Sequence, residues 1–373
     1  MDILEYLKQD INDEYFFFNR NSGADARKNL RTIVADFLNC DNERHRGTLA
    51  AMIINYVLLP HAKGAEAASL ADVLNMFELF GQYDYTENRK HLVHQLNTFL
   101  LGLLLYKNVD TLRDHINKEM ENTTDFYSSG DKKGEFLFRW RLCALCHDIG
   151  NGISLFKDDT DQINKYIFYL QLLTNEKWGE AEEGVHKLLS LDRDKNALSV
   201  LDEVGENTNM TDFFRSLKGN PVKDIYYDHG VVSALILLKL LDQMYSKLSE
   251  QTIHYKGHNV SFKRKYFDNS IVRSAYAIAV HNIDFYPDIY ATIWSSERMY
   301  DSEKRPLVFL LKICDSLQEW YKAKALDETD YIEPSQIELQ LDRDKIGIKK
   351  FPEKRGLVRK LDKYFNHHGL IDI

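Results

Sequence analysis

At 373 residues, with 44% hydrophobic and 12% aromatic content, the chain has ample material for a buried core and room for two or three domains or one large elaborated one. A formal charge of −9 tells against general binding of nucleic acid or anionic membrane, because phosphate contacts need clustered Lys and Arg; a local basic groove stays compatible with it. The four cysteines, and the acidic "DINDE" ahead of the short apolar run in "EYFFFNR", predict a cytoplasmic protein with free thiols rather than an exported one with disulfides.

Helical periodicity runs from the start. "DILEYLKQDI", "ADARKNLRTIVADFLN", "ERHRGTLAAMIINYVLL" and "SLADVLNMFELFGQY" place apolar residues three and four apart, and only six prolines interrupt the whole chain. They predict an N-terminal helical region over about 1–85. After the polar break "YDYTENRK" comes a long helix, "HLVHQLNTFLLGLLLYKN". Its segment "TFLLGLLLY" is the most apolar of the chain but falls short of the ~20 residues a bilayer requires, so a buried helix is expected. "VDTLRDHINKEM", the turn-rich "NTTDFYSSGDKKG" and "EFLFRWRLCALCHDIGN" follow.

The stretch from about 155 to 222 is polar and charge-rich with helical patches, and reads as an insertion or helical cover. "DHGVVSALILLKLLDQMYSKL" is the next strong helix, with Asp228 as its N-cap. "IVRSAYAIAVHNID" and "RPLVFLLKICDSLQEWYKAKAL" are helical too, the second with proline near its start, where a missing N–H costs little. In the tail, about 331–373, "SQIELQLDRDKIGIKKF" alternates apolar and polar residues around "DRDK" and predicts a short β-hairpin, while "EKRGLVRKLDKYFNHHG" predicts a closing helix.

"RLCALCHDIGN" supports two incompatible chemistries. Cys143, Cys146 and His147 spell C-x-x-C-H, the haem-attachment pattern, whereas His147 and Asp148 spell the doublet of a metallohydrolase. Reducing surroundings disfavour haem attachment, and Leu142, Ala144 and Leu145 around the cysteines make both thiols packing residues on one helix. A structural zinc on the thiols lacks the second C-x-x-C that would complete it.

The remaining polar exceptions share one character: each interrupts an apolar helix. They are His94, the pair His147–Asp148, His229, His281 and Asp315. A single histidine in such a setting is more often a hydrogen-bonded core residue than a ligand. Several imidazoles and two carboxylates together are costly to bury unless something neutralises and coordinates them, and divalent metal does both. Manganese, iron, magnesium, zinc and nickel all suit a set of imidazoles and carboxylates, as one ion or two.

In order and local context, "HQLNTFLLG", "FRWRLCALCHDIGN", "DHG", "AVHNID" and "LLKICDSLQEW" resemble the HD superfamily of metal-dependent phosphohydrolases, over about 86–325. The resemblance implies a mostly α fold, an HD-domain helical bundle over about 86–330. The N-terminal helices precede it, and the short C-terminal β-hairpin plus helix follow. It also implies that His94, His147, Asp148 and Asp315 hold one metal, that Asp148 bridges, and that His229 and His281 complete a second site. His229 has a plainer alternative as the first residue of a helix capped by Asp228, and His91, one turn from His94, is the rival first ligand.

The implied activity is hydrolysis of a small phosphate ester, a nucleotide or cyclic nucleotide, by a metal-activated hydroxide. Asp148, His147 and Lys312 form the expected catalytic set; His91, Asn151, Gln318 and Glu319 are expected to orient ligands or meet substrate. Asn151 stands where the HD-GYP group has lysine, and no G-Y-P segment is present, which disfavours cyclic-di-GMP as substrate. "FFFNR" and "RWR" are read first as core, with stacking on a base or binding of phosphate as the alternative. Two other functions fit the same ligand pattern: a di-iron oxygenase, and a non-catalytic sensor that binds a partner protein. Self-association into a homo-oligomer is common among helical HD proteins.

Overall fold

The computed structural model describes residues 1–10, 24–58, 91–123, 132–151, 161, 164–165, 167–168, 171, 228–247, 252–255, 258–261, 267–281, 300–318, 336–350, 365 and 369–372. The helix expected at "SLADVLNMFELFGQY", nearly all of the 155–222 segment and, but for Phe365, the closing C-terminal helix lie outside these residues. In chain order the helices are α1 (Ile3–Asp10), α2 (Ala24–Asn39), α3 (Glu43–Leu58), α4 (His91–Asn108), α5 (Asp110–Thr123), α6 (Lys132–Cys146) and α7 (His229–Lys247). Strands β1 (Thr252–Tyr255) and β2 (His258–Ser261) come next, then a π-helical turn (Phe267–Ile271), α8 (Val272–Val280) and α9 (Pro306–Leu317). Strands β3 (Glu338–Leu341), β4 (Ile346–Lys350) and β5 (Ile371–Asp372) close the chain. The described protein is mostly helical with a small three-stranded C-terminal sheet, as periodicity and alternation predict. None of the described helices is long and apolar enough to cross a membrane.

Helix starts follow local chemistry. The Asp2 carboxylate accepts the Glu5 N–H at 2.7 Å before α1, and Asn42 accepts that of His45 at 3.0 Å before α3. Asp228 caps α7 as expected, its Oδ1 accepting the N–H groups of Gly230 at 2.8 Å and Val231 at 3.3 Å. Pro306 opens α9 in the position where its absent N–H leaves no bond unmade.

Two compact units divide the chain. The first comprises Met1–Pro60, Gly81–Trp140 and Tyr300–Ile373. Its core is built on α4, which is apolar nearly all round and is covered by α1, α3, α5 and α9. Trp140 of α6 is fully buried against α4 and donates its indole N–H to the Phe99 carbonyl at 3.0 Å. This fit requires Gly102, since a Cβ there would fall inside the indole ring. Phe136, one turn before Trp140, stacks on Tyr106 of α4 with ring centroids 3.7 Å apart.

The sheet of this unit begins with β3 and β4, an antiparallel hairpin that pairs Leu341 with Ile346 across "DRDK". There the Asp342 N–H donates to the Lys345 carbonyl at 2.9 Å. β5 adds in parallel to β4, after Gly369 at φ 66°, a left-handed conformation that glycine adopts without strain. The chain's first residue lies along β3, the Leu339 N–H donating to the Met1 carbonyl at 3.0 Å.

The second unit comprises His61–Phe80 and Arg141–Met299. Here α7 and α8 pack on each other and on the π-helical turn. The β1–β2 hairpin, with Tyr255 opposite His258, was not expected from the sequence.

Candidate metal centre

In the second unit, α6 ends at Cys146 and the chain turns tightly through the doublet, with the Asn151 N–H donating to the Asp148 carbonyl at 3.0 Å. His147 is fully buried, and its Nδ1 lies 3.0 Å from the Ala144 carbonyl. A carbonyl only accepts, so the ring proton sits on Nδ1 and Nε2 carries the lone pair. The same device recurs at His281, also fully buried, whose Nδ1 is 2.6 Å from the Ile278 carbonyl. Fixing a ring through Nδ1 to a backbone carbonyl is how proteins orient metal-ligating imidazoles.

Asp148 lies between the rings. Its Oδ2 is 3.6 Å from Nε2 of His147, and its Oδ1 is 3.3 Å from Nε2 of His229. The His281 ring stands edge-on to both histidines, with centroids 5.2 Å from His147 and 5.3 Å from His229. One ligand atom from each of His147, Asp148 and His281 falls within 4.8 Å of the others, and all three residues are buried. This donor set fits a divalent cation: two imidazoles with oriented lone pairs and a carboxylate whose oxygens face different rings.

Two glycines permit this approach. A Cβ on Gly150 would stand 2.6 Å from the His229 carbonyl and the Ser233 N, while the Gly150 N–H donates to the Ser233 hydroxyl at 2.8 Å. At Gly230, a Cβ would stand 2.9 Å from the Ile278 carbonyl and 3.1 Å from the His281 ring. The glycines of "HDIG" and "DHG" thus let the doublet turn, the start of α7 and the end of α8 press together. Sequence reasoning did not assign Gly150, Gly230 or Ser233 to the site; the glycine following each histidine-bearing doublet was the available signal.

In the first unit, His94 of α4 meets Asp315 of α9, with Nε2 to Oδ1 at 3.3 Å. Gln318, fully buried, sets its amide nitrogen against Nδ1 of the same ring and 3.4 Å from the Asp315 carbonyl. An amide differs from its half-turned form only in exchanging O and N. As placed, the amide N–H donates to Nδ1, which leaves the ring proton on Nε2 facing the Asp315 carboxylate; the half-turned amide would reverse this. Gln318 is thus the residue that orients the His94 ring.

Of the other expected residues, His91 is buried at the first position of α4 and Asn151 is buried just past the doublet turn. Lys312, one turn before Asp315, is buried rather than at the surface, with Nζ 5.6 Å from the centre of the Tyr300 ring. Glu319 lies outside the described residues. Cys143 and Cys146 are fully buried among Leu142, Ala144 and Leu145, which agrees with packing roles. Burial pushes the Cys146 and Cys314 thiols well up, so neither is a ready thiolate ligand. No protein-family model matches the chain, and no curated protein or solved structure matches it either.

Proposed function

We propose that the protein is a metal-dependent phosphohydrolase of the HD type, acting on a small phosphate ester of the nucleotide or cyclic-nucleotide class. The observation that carries this reading is the buried group of His147, Asp148 and His281, with His229 against the second oxygen of Asp148. A divalent cation bound there supplies positive charge to phosphoryl oxygens and makes water nucleophilic near neutral pH.

The chain's own residues do the rest. The Ala144 and Ile278 carbonyls hold two imidazoles in the ligating tautomer. Asp148 presents one oxygen to His147 and the other to His229, the disposition a bridging carboxylate needs. His94 and Asp315, ligands by the resemblance, already pair with each other, and Gln318 fixes the His94 ring. Lys312 supplies a cation one turn from Asp315, suited to a phosphoryl oxygen or the departing group. Protein supplied with manganese, iron or magnesium should release phosphate or a nucleoside monophosphate from some member of a nucleotide panel. Asp148→Ala should abolish release while circular dichroism stays unchanged; turnover surviving that substitution refutes the reading.

A further inference from the structure

Two of the rings beside Asp148 are oriented within their own segments. His147 and His281 each set Nδ1 against a carbonyl three residues earlier, that of Ala144 and that of Ile278. The pair formed by Asp148 and His229 has a different origin. Its 3.3 Å separation joins the turn that follows α6 to the first residue of α7, so it depends on how that turn is docked on the helix.

The docking is tied at Gly150, two residues past Asp148. Within the turn, the Ile149 N–H donates to the Cys146 carbonyl at 3.4 Å and the Asn151 N–H to the Asp148 carbonyl at 3.0 Å. The Gly150 N–H instead leaves the turn and donates to the hydroxyl of Ser233 on α7 at 2.8 Å. Both residues are buried, where an amide that loses its acceptor has no water to take its place. Ser233 follows His229 by four residues, one helical turn, so hydroxyl and imidazole stand on one face of α7. A serine inside a helix ordinarily turns its hydroxyl to a carbonyl of the preceding turn; this one accepts a proton from another segment. A Cβ on Gly150 would meet both the His229 carbonyl and the Ser233 N at 2.6 Å, so the turn rests directly on the backbone that links the two residues.

We propose that Ser233 is a positioning residue of the metal centre. Its hydroxyl fixes the doublet turn on α7 and thereby sets the reach of Asp148 to His229, while the His147 and His281 rings keep the orientation their own carbonyls give them. The proposal rests on the reading of this group as the site of a divalent cation. Metal-free full-length chain is titrated with manganese(II) by calorimetry, as wild type, Ser233→Ala, His229→Gln and the double variant. Ser233→Ala should bind about tenfold more weakly than wild type, or weaker still, the loss typical when the support of a ligand is removed. In the His229→Gln background the same change should cost less than about twofold, because the pair through which Ser233 acts is already gone. A hydroxyl that served only the fold would lower affinity by the same factor in both backgrounds.

The bond itself is read without metal. With glycine-selective isotope labelling, the Gly150 amide should be protected from hydrogen exchange in wild type and should exchange about tenfold faster, or more, in Ser233→Ala. Ser233→Ala that binds within about twofold of wild type, equal losses in the two backgrounds, or an unprotected wild-type Gly150 amide overturns the proposal. If the alanine variant fails to fold, Ser233→Cys serves instead. Its sulfur fills the same place but accepts only weakly, and manganese affinity unchanged in that variant overturns the proposal equally. A wild type that binds no manganese overturns the metal reading and this proposal with it, whereas the other contrary results overturn the proposal alone.

Discussion

Replacing Arg141 by methionine gives a test in which the usual expectation for a buried arginine is reversed. A guanidinium ordinarily titrates above pH 12. In the folded chain burial brings Arg141 down to about 10. The folded state holds this proton less tightly than the unfolded chain, so the charge opposes folding at every pH below about 10, and the penalty fades only above that. At about 1.4 kcal/mol per pH unit the penalty is about 3 kcal/mol at neutral pH. Methionine keeps the apolar stem's volume and removes the charge. Urea unfolding at pH 7.5 in phosphate-free chloride buffer should therefore find Arg141→Met at least as stable as wild type, by up to about 3 kcal/mol. A loss of more than about 2 kcal/mol in the variant would refute the reasoning, because it would show that the fold itself satisfies the guanidinium.

The packing and the site offer further tests. Gly102→Ala drives a methyl group into the Trp140 indole and should cost about 1–3 kcal/mol, read from urea midpoints with Trp fluorescence reporting the displaced ring. Gly230→Ala presses on the Ile278 carbonyl and the His281 ring, and should weaken metal binding about 10–100-fold in a protein that still shows native circular dichroism. Of the four cysteines, Cys143, Cys146 and Cys314 are buried, so a thiol reagent at pH 8 should label Cys40 alone in the native protein and all four after unfolding. Rapid labelling of two or more thiols in the native state would contradict the core packing of α6 and α9.

What the sequence made legible is local. The helix read from "HLVHQLNTFLLGLLLYKN" spans those residues in the structure, because its apolar content is continuous and polar segments bound it on both sides. Asp228 was readable as an N-cap and "DRDK" as a hairpin turn, since each depends on residues within a few positions. The β1–β2 hairpin was not read. Its strands are four residues each, and Lys256–Gly257 between them is a faint turn signal amid strongly helical neighbours.

Contacts distant along the chain left even less trace. Met1 joins β3 across 338 positions, and Gln318 reaches His94 across 224. In the site, histidines and aspartates stood out because each interrupts an apolar helix. Gly150 and Gly230 did not, because their role is to leave space, and that becomes visible only once the opposing backbone is in place. Likewise "RWR" read as one motif, whereas its residues divide: Arg139 is neutralised, Trp140 fills the core, and Arg141 is buried with no carboxylate partner among the described residues.

The claim on which the functional account depends is that the buried histidines and Asp148 bind metal. Elemental analysis of the full chain, reconstituted with manganese, iron or zinc and then desalted, measures this directly. The account predicts one or two ions retained per wild-type chain and loss of metal from both Asp148→Ala and His281→Ala, each with native circular dichroism. A wild-type chain that retains no metal, or an Asp148→Ala chain that retains as much as wild type, would contradict it.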